Sequence, residues 1–523
     1  MAVSGLFLSL SPIYLIAGSV FAFFAYFFVG SKKAKLDHIP GPWLAKYSNA
    51  WRGYQAWKLN HHQEGVNNYQ INMIGRYGDV VRIGPTHVLV YDPEAIETVF
   101  GFRQRLDKGP GYNVFVIRGT NQTALVSIKE EETHGRFRRP IAHAYSLSSL
   151  KGYEGYIDQM IEKLVGVMDK YGSQGKPINM SRWLQYWGFD VMSKISFGEP
   201  LGFLDHGYDF NGMLKAQQEH FRYISVANNF PFLDTITKRN PFLNLFKKKP
   251  TNKFFLFAQR VVRERLLKAE KDPEAQTLVT NRQYDDLLGS FIASRKAYPL
   301  MDEIRLIHLS TTNVVAGANN SAKAMDATIH WLALHPEAQD RLYNEITSVN
   351  MAAMKEAETE GPAALDLALK MPYLDAMIQE SYRTFGAPAN NLERLAPKNG
   401  LRLPDGTELP PGTVVAMNAA SIAMLPDVFG ADARQFNPDR WMRRDYESAE
   451  KHHERVLKMR RAMLVFGHGS RSCIGKNIVQ LELYKIWATL LRIYRFEAVD
   501  VKLHNVMVIP RRREEGTDMS VQI

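Results

Sequence analysis

The chain has 523 residues, 45% of them hydrophobic, and its 65 basic and 54 acidic side chains give a formal net charge of +11. A single cysteine excludes an intrachain disulfide and fits a reducing compartment. The basic residues are spread along the chain without a base-reading motif, which favours a membrane surface or an acidic protein partner over nucleic acid. No repeat or shift in composition marks a second domain, although the length would allow about three.

The N-terminal stretch of residues 6–30 contains no charged side chain. It is long enough to cross about 30 Å of hydrocarbon as a helix. Lys32, Lys33 and Lys35 follow directly, which places the rest of the chain on the cytoplasmic side. A cleaved signal peptide is disfavoured because the apolar run is too long and no basic residues precede it. We expect residues 1–38 to form a single-pass signal anchor, followed by one domain over residues 39–523.

Downstream of this stretch the predicted elements are mostly helices. Two β-rich runs broken by Gly84-Pro85 predict a hairpin over residues 79–92. From residue 153 apolar side chains recur at helical spacing, namely Ile157, Met160, Ile161, Leu164, Val165 and Met168. Helical character continues to about residue 385, and short strand-like runs return over residues 401–417. The sequence therefore predicts a mainly α fold with minor β structure.

Residues 242–249 place apolar side chains beside three consecutive lysines. Such a segment can lie at a membrane interface with its lysines facing anionic headgroups. It can equally be a loop that covers the core and has a solvated basic edge. The sequence leaves both interpretations open.

The sole cysteine, Cys473, lies in the glycine-rich run FGHGSRSCIG of residues 466–475. A lone cysteine is more often a small buried hydrophobe than a functional group. Here Arg471 lies nearby and a helix is predicted from Lys476, and both favour the thiolate. The glycines allow tight turns and the approach of a bulky group. The pattern indicates a thiolate ligand for a metal centre such as heme iron.

This run matches F-x-x-G-x-R-x-C-x-G at every fixed position and resembles the heme-binding loop of the cytochrome P450 superfamily. The resemblance extends over residues 40–500 and is strongest to membrane-bound ascomycete members of the pisatin-demethylase-like kind. It implies the cytochrome P450 fold, one large helical catalytic domain with small sheets. It also implies that Cys473 is the axial iron ligand, that Phe466 shields the sulfur, and that Arg471 belongs to the cofactor-binding loop.

Two further motifs resemble the family's structural ion-pair network. Glu380 and Arg383 fit its E-x-x-R helix, and Arg440 lies in a run, FNPDRW, that fits its arginine-bearing meander. By spacing alone such a pair is usually a weak surface contact. The resemblance implies that the three residues hold the cysteine loop in place and take no part in the chemistry.

Three basic residues resemble the family's ligands of the heme propionates. Arg394 follows the E-x-x-R helix at the appropriate distance, and His134 and Arg138 occupy the ends of a W-x-x-x-R motif in which histidine replaces tryptophan. A guanidinium can bind a carboxylate through two parallel hydrogen bonds. The alternative for the neighbouring Arg136 and Arg139 is a solvated basic run.

The segment VVAGANNS resembles the family's A/G-G-x-D/E-T segment, which crosses the heme. On this resemblance Ala316 and Gly317 leave room for dioxygen, while Asn319 and Asn320 replace the acid and the alcohol that deliver protons. An amide forms hydrogen bonds but cannot supply a proton as a carboxylic acid can. Ser321, an ordered water or a substrate hydroxyl would then complete the relay. The alternative is that Asn320 only lines the pocket.

Taken together, the resemblance implies a heme b monooxygenase that inserts one oxygen atom from O2 into a lipophilic small molecule, a fungal secondary metabolite. Electrons would come from NADPH through the membrane-bound NADPH-cytochrome P450 reductase, with cytochrome b5 as an optional second donor. The protein would lie at the endoplasmic reticulum, and its catalytic domain would face the cytosol. Two alternatives stay open: a heme-thiolate enzyme that rearranges peroxides or dehydrates its substrate, and a heme-binding protein without catalysis.

Overall fold

The computed structural model describes residues 28–59, 72–116, 124–230, 253–271, 286–354, 361–386 and 391–513, and the single residues Gly18, Ala25, Asp234, Asn240 and Phe242. The predicted anchor over residues 6–30 lies mostly outside the described residues. The same is true of the stretch 242–249, of which only Phe242 is described, with an exposed side chain. In the described part of the chain no helix has the length and apolar character needed to cross a bilayer.

Helices make up most of the described fold, as the sequence predicts. In chain order the α-helices are α1 Ala50–Leu59, α2 Ala95–Phe100, α3 Glu131–Ala142, α4 Leu147–Leu150, α5 Glu154–Ser173, α6 Met180–Phe197, α7 Phe203–His206, α8 Met213–Ala227, α9 Lys253–Lys271, α10 Leu287–Ser294, α11 Glu303–Leu334, α12 Pro336–Met354, α13 Leu365–Ala368, α14 Pro372–Ser381, α15 Ala419–Ile422, α16 Pro426–Phe429, α17 Ala449–Ala462 and α18 Lys476–Ile493. A turn of π-helix, Tyr382–Gly386, continues α14. Short 3-10 turns are Trp43–Lys46, Pro110–Phe115, Leu125–Ser127, His143–Tyr145, Lys151–Tyr153, Pro438–Trp441 and Gly469–Arg471. Helix α5 confirms the periodicity seen from residue 153, since five of the six apolar residues named for it are buried.

Three small sheets accompany the helices. Their strands are β1 Val80–Arg82, β2 His87–Val90, β3 Ile178–Asn179, β4 Leu392–Leu395, β5 Leu401–Arg402, β6 Glu408–Leu409, β7 Val414–Met417, β8 Tyr494–Lys502 and β9 Asn505–Arg512. The sheet orders are β1-β2-β7-β4, β3-β9-β8 and β5-β6, and only the β2–β7 pair among the described strands is parallel. Val80 pairs with Val90 across the first two strands, which confirms the predicted hairpin.

Helix α11 is the central element of the core. Its 32 residues extend over about 48 Å. The Asp302 side chain caps its first turn by accepting a hydrogen bond from the backbone N–H of Arg305 at 2.8 Å. The helix ends before Pro336, because a proline disfavours helical backbone in the residue that precedes it. Helix α11 packs along α6 and also contacts α9 and the π-helix.

Two glycines allow α6 and α11 to approach each other closely. A Cβ atom built on Gly188 of α6 would lie 3.1 Å from the carbonyl oxygen of Ala318. A Cβ atom on Gly317 of α11 would lie 2.6 Å from Cε of Met192. A side chain on Gly317 would therefore point toward α6, and the predicted role of this residue in leaving room for dioxygen stays a prediction.

Candidate functional site

The loop that contains Cys473 is a tight backbone turn. The Cys473 N–H donates a hydrogen bond to the carbonyl oxygen of Phe466 at 2.7 Å. Gly467 and Gly469 have φ angles of +68° and +65°, in the left-handed region that favours glycine. A Cβ atom on Gly469 would also overlap the carbonyl oxygen of Phe100. The sequence pattern is therefore needed for the turn itself, and helix α18 begins three residues after the cysteine.

The thiol of Cys473 borders an internal space. Its side chain is exposed, yet burial by the surrounding protein raises its pKa. The backbone N–H groups of Gly475 and Lys476 and the Arg138 guanidinium oppose this rise, because they stabilise the thiolate. An accessible side chain in desolvated surroundings faces a cavity inside the protein. The same groups would stabilise a sulfur that carries negative charge.

Four cationic side chains converge beside this loop, namely Lys108, Arg138, Arg394 and Arg471. Arg138 donates a hydrogen bond through Nη1 to the carbonyl oxygen of Ser472 at 2.7 Å. Lys108 and Arg394 are joined by an isolated antiparallel bridge, and both are buried. Burial lowers the pKa of Arg394, although Tyr112 beside it opposes the effect. Cations that are buried this close together repel one another, so anions are required to neutralise them.

His134 lies within this group of cations on helix α3. It is buried, and its pKa is lowered to about 3 by burial first and then by Arg471, Lys108 and the other two arginines. The imidazole is therefore neutral at physiological pH in this environment. It can offer a hydrogen bond to an anion, but it contributes no positive charge.

Arg471 is engaged by the protein itself. Its Nε atom lies 2.5 Å from a carboxylate oxygen of Glu131, and its two terminal nitrogens donate to the carbonyl oxygens of Ile128 and Lys129 at 2.7 and 2.6 Å. These contacts tie the cysteine loop to the start of α3. Each nitrogen of the guanidinium has one protein partner, and the predicted role of Arg471 in cofactor binding stays a prediction.

Tyr145 connects the cysteine loop with the central helix. Its hydroxyl donates a hydrogen bond to Oδ1 of Asn313 on α11 at 2.6 Å. Its carbonyl oxygen accepts one from Nδ2 of Asn477 on α18 at 2.9 Å. Asn477 lies four residues after Cys473, and Asn313 lies three residues before Ala316. Tyr145 thus links the middle of α11, through its hydroxyl, to the first turn of α18, through its backbone carbonyl.

Ala316 and Asn320 form an exposed strip on a helix that is otherwise mostly buried. They lie one helical turn apart, and Nδ2 of Asn320 donates to the carbonyl oxygen of Ala316 at 2.8 Å. This bond orients the amide so that its oxygen is left as an acceptor. Asn319, the preceding residue, is partly buried.

Ser321 does not share this strip. It is fully buried, and its hydroxyl lies beside the Glu482 carboxyl of α18. Burial raises the pKa of Glu482 to about 8, and the neighbouring hydroxyl opposes the rise. The two groups are not aligned for a hydrogen bond. The predicted role of Ser321 in a relay at Asn320 needs correction, because one helical residue turns a side chain by about 100°.

Glu380 is the centre of a buried ion-pair network. Its two carboxylate oxygens accept hydrogen bonds from Arg383 at 2.7 and 2.9 Å and from Nε of Arg440 at 3.0 Å. The backbone N–H of Asn437 and the indole N–H of Trp441 donate to the same carboxylate at 2.8 and 2.9 Å. The structure therefore brings together the three residues predicted to form the network.

The network is linked to the cysteine loop through an aromatic contact. Tyr382 lies next to Arg383 in sequence, and its ring meets the Phe466 ring edge to face, with centroids 5.2 Å apart. Nη1 of Arg383 also donates to the carbonyl oxygens of Ala423 and Ala433 at 2.7 and 2.5 Å. The network thus fixes both the meander before α17 and the aromatic residue that opens the loop.

The donor set of this site suits heme. Glu131 is the only carboxylate of the described residues in ion-pair contact with the four cations, so an excess of positive charge remains. The two propionates of a heme supply the carboxylates that this excess requires. The accessible thiol of Cys473, at the start of α18, is a ligand for its iron. Arg138, Arg394 and Lys108 are the residues that fit the propionates.

Two parts of this site escape prediction from the sequence. Lys108 follows no motif, and no local pattern distinguishes it from other lysines. Tyr145 lies in an ordinary 3-10 turn. Both gain their position from contacts with residues far away in the chain, and no signal in the sequence alone identifies them.

Comparison with known proteins gives one consistent result. The sequence pattern of the family described as Cytochrome P450 matches residues 48–509. The chain is 28% identical to cytochrome P450 monooxygenase vrtE of Penicillium aethiopicum, covering 92% of this chain and 88% of the relative. It is 30% identical to cytochrome P450 monooxygenase asR2 of Sarocladium schorii, covering 93% and 92%. It is 32% identical to cytochrome P450 monooxygenase cicH of Emericella nidulans, covering 91% of each. The chain therefore belongs to the cytochrome P450 family, the heme-thiolate monooxygenases.

Proposed function

We propose that the protein uses heme b to insert one atom of O2 into a lipophilic small molecule, a fungal secondary metabolite. The observation that carries the proposal is the convergence of an accessible thiol, Cys473, with a buried cluster of cations that has too few carboxylates. The substrate class rests on the fungal relatives, each described as a monooxygenase.

Different residues of this site bind different parts of the heme. Bound heme supplies the iron at which dioxygen is activated. Cys473 binds that iron, while the N–H groups of Gly475 and Lys476 stabilise the charge on sulfur. Arg138, Arg394 and Lys108 hold the propionates. His134 adds a hydrogen bond.

In this proposal Asn320 would lie beside the oxygen that reacts at the bound heme. Its amide nitrogen is committed to the Ala316 carbonyl oxygen at 2.8 Å. The free amide oxygen then accepts a hydrogen bond from a water or from a substrate hydroxyl. Asn320 therefore orients a proton donor but does not release a proton itself.

The electron supply and the location follow from the same assignment. We propose that electrons come from NADPH through the NADPH-cytochrome P450 reductase, with cytochrome b5 as an optional donor. We further propose that residues 6–30 anchor the protein in the endoplasmic reticulum with residues 39–523 in the cytosol. The uncharged run followed by three lysines supports this orientation.

The test is turnover of the membrane-bound protein with reductase and NADPH on extracts of its source, under ¹⁸O2. One labelled oxygen atom in the product, formed only with NADPH, is expected. Product formed without NADPH would favour the peroxide-rearranging or dehydrating alternative. Failure to consume any compound, with heme bound and reduced, would favour a heme-binding protein without catalysis.

A further inference from the structure

Helix α11 carries a lysine, Lys323, that has no partner among the residues that the structure describes. Lys323, in the second half of the helix, is partly exposed as a whole residue, while the protein atoms around its ammonium desolvate that group. It forms no hydrogen bond or ion pair with any of the residues that the structure describes, and burial is the only cause that lowers the pKa of its ammonium. An isolated buried charge is costly, so an ammonium kept in such a place calls for an explanation.

The position of Lys323 on the helix relates it to the strip formed by Ala316 and Asn320. Lys323 lies seven residues after Ala316 and three after Asn320, which places all three on one face of the helix. It also lies four residues after Asn319, and side chains at this spacing have Cβ atoms about 5–6 Å apart. Its ammonium is therefore within reach of both amides. Ala316 and Asn320 are the exposed members of this face.

Chemistry separates Lys323 from its neighbours. The two asparagines stand where the family has an acid and an alcohol, and neither can give up a proton. An ammonium is an acid. Burial lowers the pKa of this one, which eases proton release near neutral pH. Across the helix, the Glu482 carboxyl lies beside Ser321 and does not share the face of Asn320.

We propose that Lys323 is the proton donor of the oxygenation reaction, acting through a water held by the amides of Asn319 and Asn320. The proposal rests on the monooxygenase function proposed above. The overall reaction consumes substrate, O2, two electrons from the reductase and two protons, and it yields hydroxylated product and water. Lys323 gives one of these protons to the oxygen atom that leaves as water when the O–O bond breaks. The neutral amine then takes a proton from solvent.

Two variants of the heme-loaded enzyme distinguish proton donation from a charge effect. Lys323→Met removes the acid at nearly constant length, and Lys323→Arg keeps the charge on a group whose pKa is too high for proton donation. We expect both variants to lower product formed per NADPH by at least ~10-fold, because general acid catalysis contributes ~10²–10⁴-fold and water replaces it in part. Peroxide release should rise correspondingly, while substrate affinity and the thiolate-type spectrum of the reduced CO complex stay unchanged. Lys268→Met, at an exposed lysine of α9, is the control and should remain coupled.

A second measurement does not depend on turnover. The pH midpoint for acetylation of each lysine by acetic anhydride can be read from the heme-loaded protein by peptide mass spectrometry. The midpoint for Lys323 should lie below that for Lys268, and equal midpoints would overturn the proposal.

Wild-type coupling in Lys323→Arg would show that positive charge alone suffices, and it would also overturn the proposal. So would wild-type coupling in Lys323→Met. If Lys323→Met does not bind heme, Lys323→Arg decides the question. If the proposed monooxygenase function is wrong, the wild-type protein itself should show no NADPH-dependent oxygen consumption, and this outcome differs from all of those above.

Discussion

Removal of Arg383 tests whether the Glu380 network is structural. Arg383 and Glu380 are fully buried and joined by two hydrogen bonds of 2.7 and 2.9 Å. Breaking a buried ion pair by removing one partner costs about 3–5 kcal/mol. Arg440 would remain bound to Glu380 at 3.0 Å, but the carbonyl oxygens of Ala423 and Ala433 would lose their donor as well. An unfolding entropy of about 2.1 cal/mol/K per residue corresponds to about 1.1 kcal/mol/K for a chain of this length. Arg383→Met should therefore lower Tm by about 3–5 °C.

The assay is thermal unfolding of the heme-loaded protein, followed by circular dichroism and by the thiolate-type band of the reduced CO complex. The matched control is Arg263→Met, which removes one partner of an exposed pair with Glu303 at 2.8 Å. Exposed pairs contribute at most about 1 kcal/mol, so Tm should fall by no more than about 1 °C. Equal melting temperatures for the two variants would refute the reasoning. Below the transition, Arg383→Met should keep its product per NADPH, since the network takes no part in the chemistry.

Four further outcomes are expected. Cys473→His should lose the red-shifted Soret band of the reduced CO complex and nearly all turnover, and a wild-type protein with an imidazole-like band would exclude thiolate ligation. Asn320→Ala should cut product per NADPH sharply at unchanged substrate affinity, with partial rescue by hydrogen peroxide, while unchanged coupling would leave the residue as pocket lining. Because burial raises the pKa of Glu482 to about 8, the folded protein keeps a proton that the unfolded chain releases near pH 4.5, so stability falls as pH rises from about 4.5 to about 8. Glu482→Gln should flatten this dependence in urea unfolding, and an unchanged slope contradicts it. Deletion of residues 1–38 should release most of the protein from membranes, with the remainder bound only if residues 242–249 also insert.

Local patterns predicted the elements of the fold but not the contacts between them. The hairpin and α5 follow from periods of two and 3.6 residues, which the chain carries in short windows. The cysteine loop was found because one motif contains the ligand, the glycines and the helix start. The cation cluster could not be found in this way, because Lys108 and Arg394 meet across 286 residues of chain. No sequence pattern near either residue predicts that contact.

The direction of individual side chains is the second feature that the sequence does not predict. Sequence resemblance placed Ser321 and Gly317 in the correct helix, but each residue turns by about 100° from the one before it. In the structure the Ser321 hydroxyl lies beside Glu482, and a Cβ atom on Gly317 would point toward Met192. Arg471 was assigned from its motif alone, and its three protein partners depend on where α3 begins. Lys323 was overlooked because a lysine in a long helix is ordinarily a solvated residue.

Tyr145 acts as a spacer between the two walls of the site. Its hydroxyl is fixed to α11 and its carbonyl to α18, so the length of one tyrosine sets the separation of Asn313 from Asn477. These two hydrogen bonds hold α11 and α18 in position beforehand, so less conformational entropy is lost when a cofactor binds. The same spacer makes the walls move together. We expect a substitution that shifts α11 to shift the first turn of α18 as well, through Tyr145. Such a substitution should change substrate specificity and iron potential together.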